Sequence, residues 1–157
     1  MPGENLDQAV GIKQAGANSV LRLNGTDNTY GQLPADVYFP PGAFTVESWV
    51  YVRQVRTWSR LFDFGNGPGQ DNVLLSLSEG TSGRPRLDAY RGASHSGGLV
   101  AGSPLPLNRW VHLAATFDGT TARMYYDGVL VGQNPFGGPN QVVVRNNAFV
   151  GRSNWPD

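Results

Sequence analysis

Paired carboxylates are the residues that would allow this chain to cleave a glycosidic bond. A retaining glycoside hydrolase places two of them about 5–5.5 Å apart, one as nucleophile and one as general acid. The chain has three glutamates, Glu4, Glu47 and Glu79, and none is followed by an acidic residue two positions later. A glycoside hydrolase is therefore disfavoured, and we predict that the chain is not an enzyme.

Histidine and cysteine chemistry is equally poorly supported. There is no cysteine, which excludes disulfides, thiolate metal sites and cysteine nucleophiles. His112 lies in a β-rich run and is expected to be packed there with its ring nitrogens satisfied. His95 lies in a Gly- and Ser-rich stretch and is expected to be solvated. Two such histidines make no zinc site.

Aromatic and planar polar side chains are better supplied, and these are the groups that contact sugar rings and hydroxyls. Trp58, between Arg56 and Arg60, is the best candidate for an exposed ring. Trp49 shares its face of a predicted strand with three polar or aromatic side chains. Together the four side chains either form a platform for a sugar or are ordinary cross-strand packing. Trp110 is expected in the core, and Trp155 in a terminal loop. The predicted ligand-binding residues are Trp58, Trp49, Tyr51, Arg53, Glu47 and Arg60.

The turn at residues 24–28 offers oxygen ligands for a hard cation. Calcium takes six to eight oxygens from Asp and Asn side chains and from backbone carbonyls. We predict a structural calcium site at Asn24, the carbonyl of Gly25, and Asp27. The alternative is an Asx turn, in which Asp27 binds its own backbone.

The elements that must position these residues are β-strands. Alternation with period two is common, and no segment of eleven residues keeps a helical apolar stripe. In residues 44–53, Phe44 and Val50 share the predicted core face, with Trp49 on the other. Asp118-Gly119 and Asp127-Gly128 predict hairpin turns. Strands are predicted at residues 19–23, 30–33, 44–53, 59–64, 73–78, 86–90, 110–117, 121–126, 129–132, 142–145 and 148–151, with a long mobile loop at 91–103.

Length and charge indicate one domain, residues 1–157, with residues 1–18 either mobile or forming an edge strand. Twelve basic residues balance twelve acidic ones, so neither nucleic acid nor an anionic membrane is an expected partner.

No apolar run approaches the roughly 20 residues of a membrane span. The start has no signal peptide. We expect a segment of a longer exported protein, placed outside the cell or on its surface.

Four stretches in order resemble the laminin-G-like, concanavalin-A-like jelly rolls, which include the pentraxins. They are the opening LRLNGTDNTY, the strand FTVESWVY, the hairpin RWVHLAATFDG with ARMYYDGVLV, and the late NAFVG. The resemblance covers residues 19–155 and implies an antiparallel two-sheet β-sandwich. It also implies a structural calcium ion between the opening turn and an acidic residue of a closing strand.

That closing C-terminal strand has no counterpart in this sequence, which ends at Asp157. We therefore expect an open sheet edge, filled by residues 5–14, by a peptide strand from a partner, or not at all. The resemblance implies a non-catalytic carbohydrate-binding or adhesion module with a glycan or protein ligand. The alternative is an interaction or structural module that accepts a peptide strand at the open edge.

Overall fold

Ten β-strands make up the regular structure of the chain. The structure is a computed structural model that describes residues 20–25 and 29–156. Within those ranges no helix is present, and therefore none that could span a bilayer. The strands are β1 (Gly31–Leu33), β2 (Phe44–Tyr51), β3 (Arg60–Gly65), β4 (Val73–Ser76), β5 (Arg86–Arg91), β6 (Ser94–Val100), β7 (Trp110–Phe117), β8 (Thr121–Tyr126), β9 (Val129–Pro135) and β10 (Asn147–Val150).

The strands form two antiparallel sheets packed face to face, which confirms the predicted jelly-roll β-sandwich. One sheet has six strands in the order β1-β10-β3-β4-β5-β6, and the other has four in the order β2-β7-β8-β9. The core lies between the sheets and is built from their inward-facing apolar side chains. Val111, Leu113 and Ala115 on β7 are fully buried, because alternate residues of a strand face the same side.

The alternation of apolar and polar residues correctly predicts which side chains of β2 face the core. Val50 and Val52 are buried, whereas Trp49 and Tyr51 are exposed. The hairpin from β8 to β9 is also confirmed: Asp127 and Gly128 both have positive φ, 50° and 80°, as a type I′ turn requires. At the other Asp-Gly pair the Asp118 carboxylate accepts the backbone N–H of Thr120 and of Thr121, so an Asx interaction shapes that turn.

The loop predicted at residues 91–103 is wrong, because most of it is strand β6. Its glycines serve close packing. A Cβ on Gly97 would lie 2.7 Å from the Phe136 ring, and one on Gly98 would lie 2.9 Å from Asp88 Oδ1. Strand β6 therefore needs glycine to lie flat between its neighbours.

Two predicted strands are absent. Residues 20–23 are not a strand, and Val20 and Leu21 are exposed; Ser19 lies outside the described residues. Residues 142–145 contribute only one bridge, between Asp36 and Arg145. In this segment the charged residue Arg145 is buried, whereas the apolar Val142 and Val144 are exposed. Residues 1–18, predicted to be mobile or an edge strand, also lie outside the described residues.

The sandwich is closed along one side and open along the other. On the closed side, the Gly102 N–H donates to the Val131 carbonyl at 2.6 Å, and the Asn134 side chain donates to the Gly98 carbonyl. On the open side, β2 pairs only with β7 among the described strands, so its other edge is unpaired there. Beside that edge lies an apolar groove of about 240 Å³, called here the β2 groove, lined by Phe39, Val46, Glu47, Ser48, Leu61, Phe62, Phe64, Leu75 and Val150.

Candidate functional site

The predicted ligand-binding residues are divided between the outer surfaces of the two sheets. Trp58 and Arg60 belong to the six-stranded sheet, on a surface called here the Trp58 face, with Arg86, Tyr90 and Trp155. The other four predicted residues belong to the four-stranded sheet, on a surface called here the Trp49 face. The members of the Trp49 face are Glu47, Trp49, Tyr51, Arg53, Trp110 and His112.

Strand register builds the floor of the Trp58 face. Asp63 on β3 pairs with Leu74 on β4, which pairs with Asp88 on β5. In the next row Arg60 pairs with Ser76, and Ser76 with Arg86. In β4 and β5 these residues alternate with core side chains, and a bulge between Arg60 and Phe62 brings Arg60 to the same side as Asp63. They therefore all point away from the core. Leu74 is nevertheless only 2% exposed, which shows that this surface is covered by other side chains of the protein.

Aromatic rings and guanidinium groups form that cover. Trp58 lies in the turn before β3 with a φ of 56°. The Arg60 guanidinium is 5.9 Å from the Trp58 ring and 5.5 Å from the Trp155 ring, and therefore contacts both. Arg86 is 6.0 Å from Trp58, and the ring of Tyr90 is 5.8 Å from that of Trp155. Such cation–π contacts hold the rings in fixed positions.

Ion pairs fix the polar groups beneath the rings. Arg86 makes a forked contact with both oxygens of Asp88, at 2.8–3.0 Å, and reaches Glu79 at 2.6 Å. His95 Nε2 lies 2.7 Å from Asp88 Oδ1. His95 therefore lies on strand β6 and not in a loop, and its side chain is 41% exposed, as expected, while pairing with a carboxylate.

A buried carboxylate anchors the end of the face that carries Trp155. Asp63 is fully buried, and it accepts hydrogen bonds from the side chains of Asn72, at 2.7 Å, and Asn154, at 2.9 Å. The Asn154 backbone N–H also donates to it at 2.9 Å. A Cβ on Gly65 would lie 2.2 Å from the Asn72 amide, so only glycine leaves room for this arrangement. The network holds the residue before Trp155 in place.

Two groups on the Trp58 face have shifted pKa values. The hydrogen bond to Asp88 raises the pKa of Arg86 above its ordinary value, although burial acts in the opposite direction. Burial raises the pKa of the Tyr90 hydroxyl, and the charge of Asp88 adds to this. Arg86 therefore remains a cation, and Tyr90 a neutral hydrogen-bonding group, at every pH near neutrality.

The Trp49 face is a strip of exposed rings. Trp49 is 63% exposed and lies 5.2 Å from His112, and Tyr51 meets Trp110 edge-on at 5.6 Å. Arg53 lies over Tyr51. The expectation that Trp110 belongs to the core is wrong, because β7 directs Val111 inward and therefore turns Trp110 outward, where it is 46% exposed.

His112 faces outward as well, with Nε2 3.6 Å from Glu47 Oε2. Among the described residues, the outer surface of this sheet also carries two peripheral ion pairs, Arg109 with Asp127 and Arg123 with Asp118. The Trp49 face is thus mainly aromatic, whereas the Trp58 face combines rings with a fixed polar network.

Sequence reasoning missed several members of the Trp58 face. Arg86, Asp88 and Tyr90 alternate with Leu87 and Ala89 in β5, and this period-two pattern was a usable signal. No local pattern links Trp155 to them, because that contact joins distant parts of the chain. The missed residues are Asp63, Asn72, Arg86, Asp88, Tyr90, Asn154 and Trp155.

The residues predicted to bind calcium make other contacts where they are described. Asn24 Oδ1 accepts a hydrogen bond from the Thr29 hydroxyl, and the Gly25 carbonyl accepts one from Arg56 at 2.7 Å. A guanidinium at that carbonyl disfavours a second cation there. Asp27 lies outside the described residues. No cluster of three acidic or histidine side chains suited to a metal occurs in the described ranges.

Comparison with known proteins identifies one family model, described as the concanavalin A-like lectin/glucanases superfamily, which matches residues 24–157. A search of curated proteins finds no match. Among solved structures, domain 4 of an extracellular GH43 arabinanase from Geobacillus stearothermophilus, in complex with arabinotriose, is similar with a TM-score of 0.57 and 24% identity. The similarity covers 80% of this chain and 58% of that one.

A second similar structure is the sialidase CBM40 of Ruminococcus gnavus bound to α2,3-sialyllactose, with a TM-score of 0.60, 10% identity, and coverage of 78% of this chain and 76% of that one. A third is a heptameric pentraxin from Limulus polyphemus, with a TM-score of 0.50, 18% identity, and coverage of 77% and 54%. At these identities the likeness shows the fold.

Proposed function

Because the chain belongs to the concanavalin A-like lectin/glucanases superfamily, we propose that it is a non-catalytic carbohydrate-binding or adhesion module of an exported protein. The observation that carries the proposal is the Trp58 face, where rings and a fixed polar network lie together. Sugar rings stack on aromatic side chains through their apolar faces, and their hydroxyls bond to planar polar groups. Two proteins of similar fold are known with arabinotriose and sialyllactose bound.

Catalysis is the less favoured activity for this face. Asp63 and Asp88 flank Leu74 and are two strand spacings apart, about 9–10 Å. An inverting hydrolase spaces its carboxylates by about 6.5–9.5 Å, with one activating water and one giving up a proton. Here the Asp63 oxygens accept from two asparagines, and those of Asp88 from Arg86. Both carboxylates are committed to structural contacts, so neither is free for these roles.

Replacing Trp58 or Trp155 with alanine should weaken glycan binding by about 1–3 kcal/mol, by analogy with the stacking of a nucleic-acid base on one aromatic side chain. Trp49→Ala is the control, because it removes an exposed ring from the other sheet, 63% exposed against 42% for Trp58. The measurement is titration of a glycan selected on an array, with calcium and with EDTA. Loss of affinity in Trp49→Ala alone would move the site to the Trp49 face.

The same titration tests the proposed calcium site, which is independent of the proposed glycan site. A site at Asn24, Gly25 and Asp27 would require Arg56 to leave the Gly25 carbonyl. Affinity and melting temperature that rise with calcium would support the site. Identical values in calcium and EDTA would remove it.

A second candidate function is acceptance of a peptide strand at the free edge of β2. The β2 groove supports it, because Val46 and Ser48 face inward there yet are only half-buried. An unpaired edge beside apolar side chains is a template for β-strand addition, in which the backbone supplies affinity and alternate side chains fill the groove. The occupant would be an extended segment with apolar residues at alternate positions.

Without such a peptide, the edge should pair with another copy of the chain, so the mass measured by sedimentation should rise with concentration. Ser48→Lys points a charge into the β2 groove and should keep the protein monomeric. Thr45→Lys, on the exposed side of the same strand, should associate like the original chain. A wild-type chain that is a stable monomer at every concentration would refute strand acceptance.

A further inference from the structure

Two exposed arginines border the Trp58 face without a carboxylate partner. Asp63, Asp88 and Glu79 on that face each contact an arginine. By contrast, Arg56 and Arg152 are exposed and form no ion pair within the described ranges. A guanidinium stays charged at every pH near neutrality and attracts anions. Both arginines are therefore available to an anion from outside the protein.

Aromatic rings hold the Arg152 guanidinium in place. It lies 4.6 Å from the centre of the Tyr30 ring and 5.0 Å from that of Phe149, and these two rings meet edge-on at 5.5 Å. Its contacts among the described residues are with these rings, so its N–H groups are free to donate. Donors that are fixed in orientation but unbound suit the two oxygens of an acid group, because little side-chain entropy is lost on binding.

Strand pairing places Arg152 beside the Trp155 end of the face. Phe149, which contacts Arg152, pairs with Asp63 on β3, and Asp63 in turn holds Asn154. Arg152 and Trp155 are three positions apart in the sequence, so their Cα atoms lie at most about 11 Å from each other. One oligosaccharide can therefore contact the Trp155 ring and the Arg152 guanidinium together.

The second unpaired arginine borders the same corner of the sheet. Arg56 donates Nη1 to the Gly25 carbonyl at 2.7 Å. Two residues before Gly25, the Leu23 side chain packs on Gly151, the residue before Arg152. This short segment thus contacts Arg56 at one end and the neighbour of Arg152 at the other, which brings both charges to one corner of the Trp58 face.

We propose that this corner, called here the Arg152 corner, binds the anionic group of an acidic sugar. Arg152 supplies the donors, and Arg56 adds positive charge nearby. This inference rests on the proposed carbohydrate-binding function, because the sugar rings would stack on Trp155 and Trp58. A carboxylate or sulfate accepts two parallel hydrogen bonds from a guanidinium fork, whereas a neutral sugar provides no counter-charge. An acidic glycan should therefore bind more tightly than its neutral counterpart.

The test is an array of neutral, carboxylated and sulfated glycans, followed by titration of each acidic hit and of its neutral counterpart. Methyl esterification neutralises a carboxylate and desulfation removes a sulfate, so the two kinds of pair show which acid group is recognised. Neutralisation should weaken binding about fivefold, the upper end for an exposed ion pair, and added salt should reduce the difference. Hits that bind equally well when neutral would overturn the inference and leave carbohydrate binding intact. An array without any hit would overturn carbohydrate binding itself.

Arg152→Gln should abolish the preference for the acidic member of each pair, because glutamine has neither the charge nor the fork. Arg152→Lys keeps the charge alone, so a smaller, salt-sensitive preference should remain. Arg53→Gln is the matched control. Arg53 is also exposed, lies 5.6 Å from the Tyr51 ring and forms no ion pair within the described ranges, but it belongs to the Trp49 face. If Arg53→Gln reduces the preference as much as Arg152→Gln does, anions are attracted by overall charge and the Arg152 corner is not their site.

Discussion

Replacing Arg145 with methionine should lower the free energy of unfolding by about 3–5 kcal/mol, because it removes two hydrogen bonds from a charged donor, each worth about 1.5–3 kcal/mol. The residue is 1% exposed. Its guanidinium donates to the carbonyls of Asp71, at 2.8 Å, and Tyr38, and its backbone N–H donates to Asp36. Methionine fills a similar volume but its side chain donates nothing, so the carbonyls of Asp71 and Tyr38 would lose their charged donor.

Chemical denaturation measures the effect, and Arg152→Met is the matched control. Arg152 is exposed and lies on two aromatic rings, so its loss should cost about 1 kcal/mol or less. Arg145→Lys should be intermediate, because an ammonium cannot reach two carbonyls in the fork geometry of a guanidinium. Equal stability of Arg145→Met and Arg152→Met would show that the buried contacts contribute nothing. Burial lowers the pKa of Arg145, which is consistent with a cation held mainly by carbonyl groups.

The sequence is most informative where local chemistry determines structure. Period-two alternation identifies β2 and β7, and Asp127-Gly128 identifies the hairpin after β8, because each depends on neighbours along the chain. Strand β6 escapes prediction, since Gly97 and Gly98 look like loop residues until the side chains packed on them are known. The three valines before Arg145 mislead in the opposite way, because the charged residue takes the buried position to bind distant carbonyls.

In the candidate site too, some features follow from the local sequence pattern and others depend on contacts between distant residues. The outward direction of Trp49 and Tyr51 follows from alternation, as does that of Arg86, Asp88 and Tyr90. Trp58 and Trp155 both contact Arg60, and the second contact joins residues more than 90 positions apart, so no local pattern encodes it. Composition could therefore suggest a surface rich in tryptophan and arginine, but only the fold shows which rings lie on which sheet.

Removing the Asp63 carboxylate should affect stability and binding together. Asp63→Ala would leave the Arg60 charge, whose side chain is 8% exposed, without its counter-ion, and would strip the amides of Asn72 and Asn154 of their acceptor. Breaking such a buried network costs about 3–5 kcal/mol. Because Asn154 precedes Trp155, the ring should also lose its fixed position, and glycan affinity should fall about as much as in Trp155→Ala.

Two further variants separate these effects. Asp63→Asn keeps the shape and one acceptor oxygen but not the charge, so both losses should be smaller. Asn154→Ala leaves the Arg60–Asp63 pair and the backbone hydrogen bond from residue 154 to Asp63 intact. It removes only the side-chain hydrogen bonds that tie down the segment carrying Trp155. It should therefore reduce affinity more than stability, which denaturation and glycan titration on the same sample can resolve. If Asn154→Ala and Asp63→Ala both bind glycan like the original chain, the buried carboxylate supports the fold alone, and the position of Trp155 plays no part in recognition.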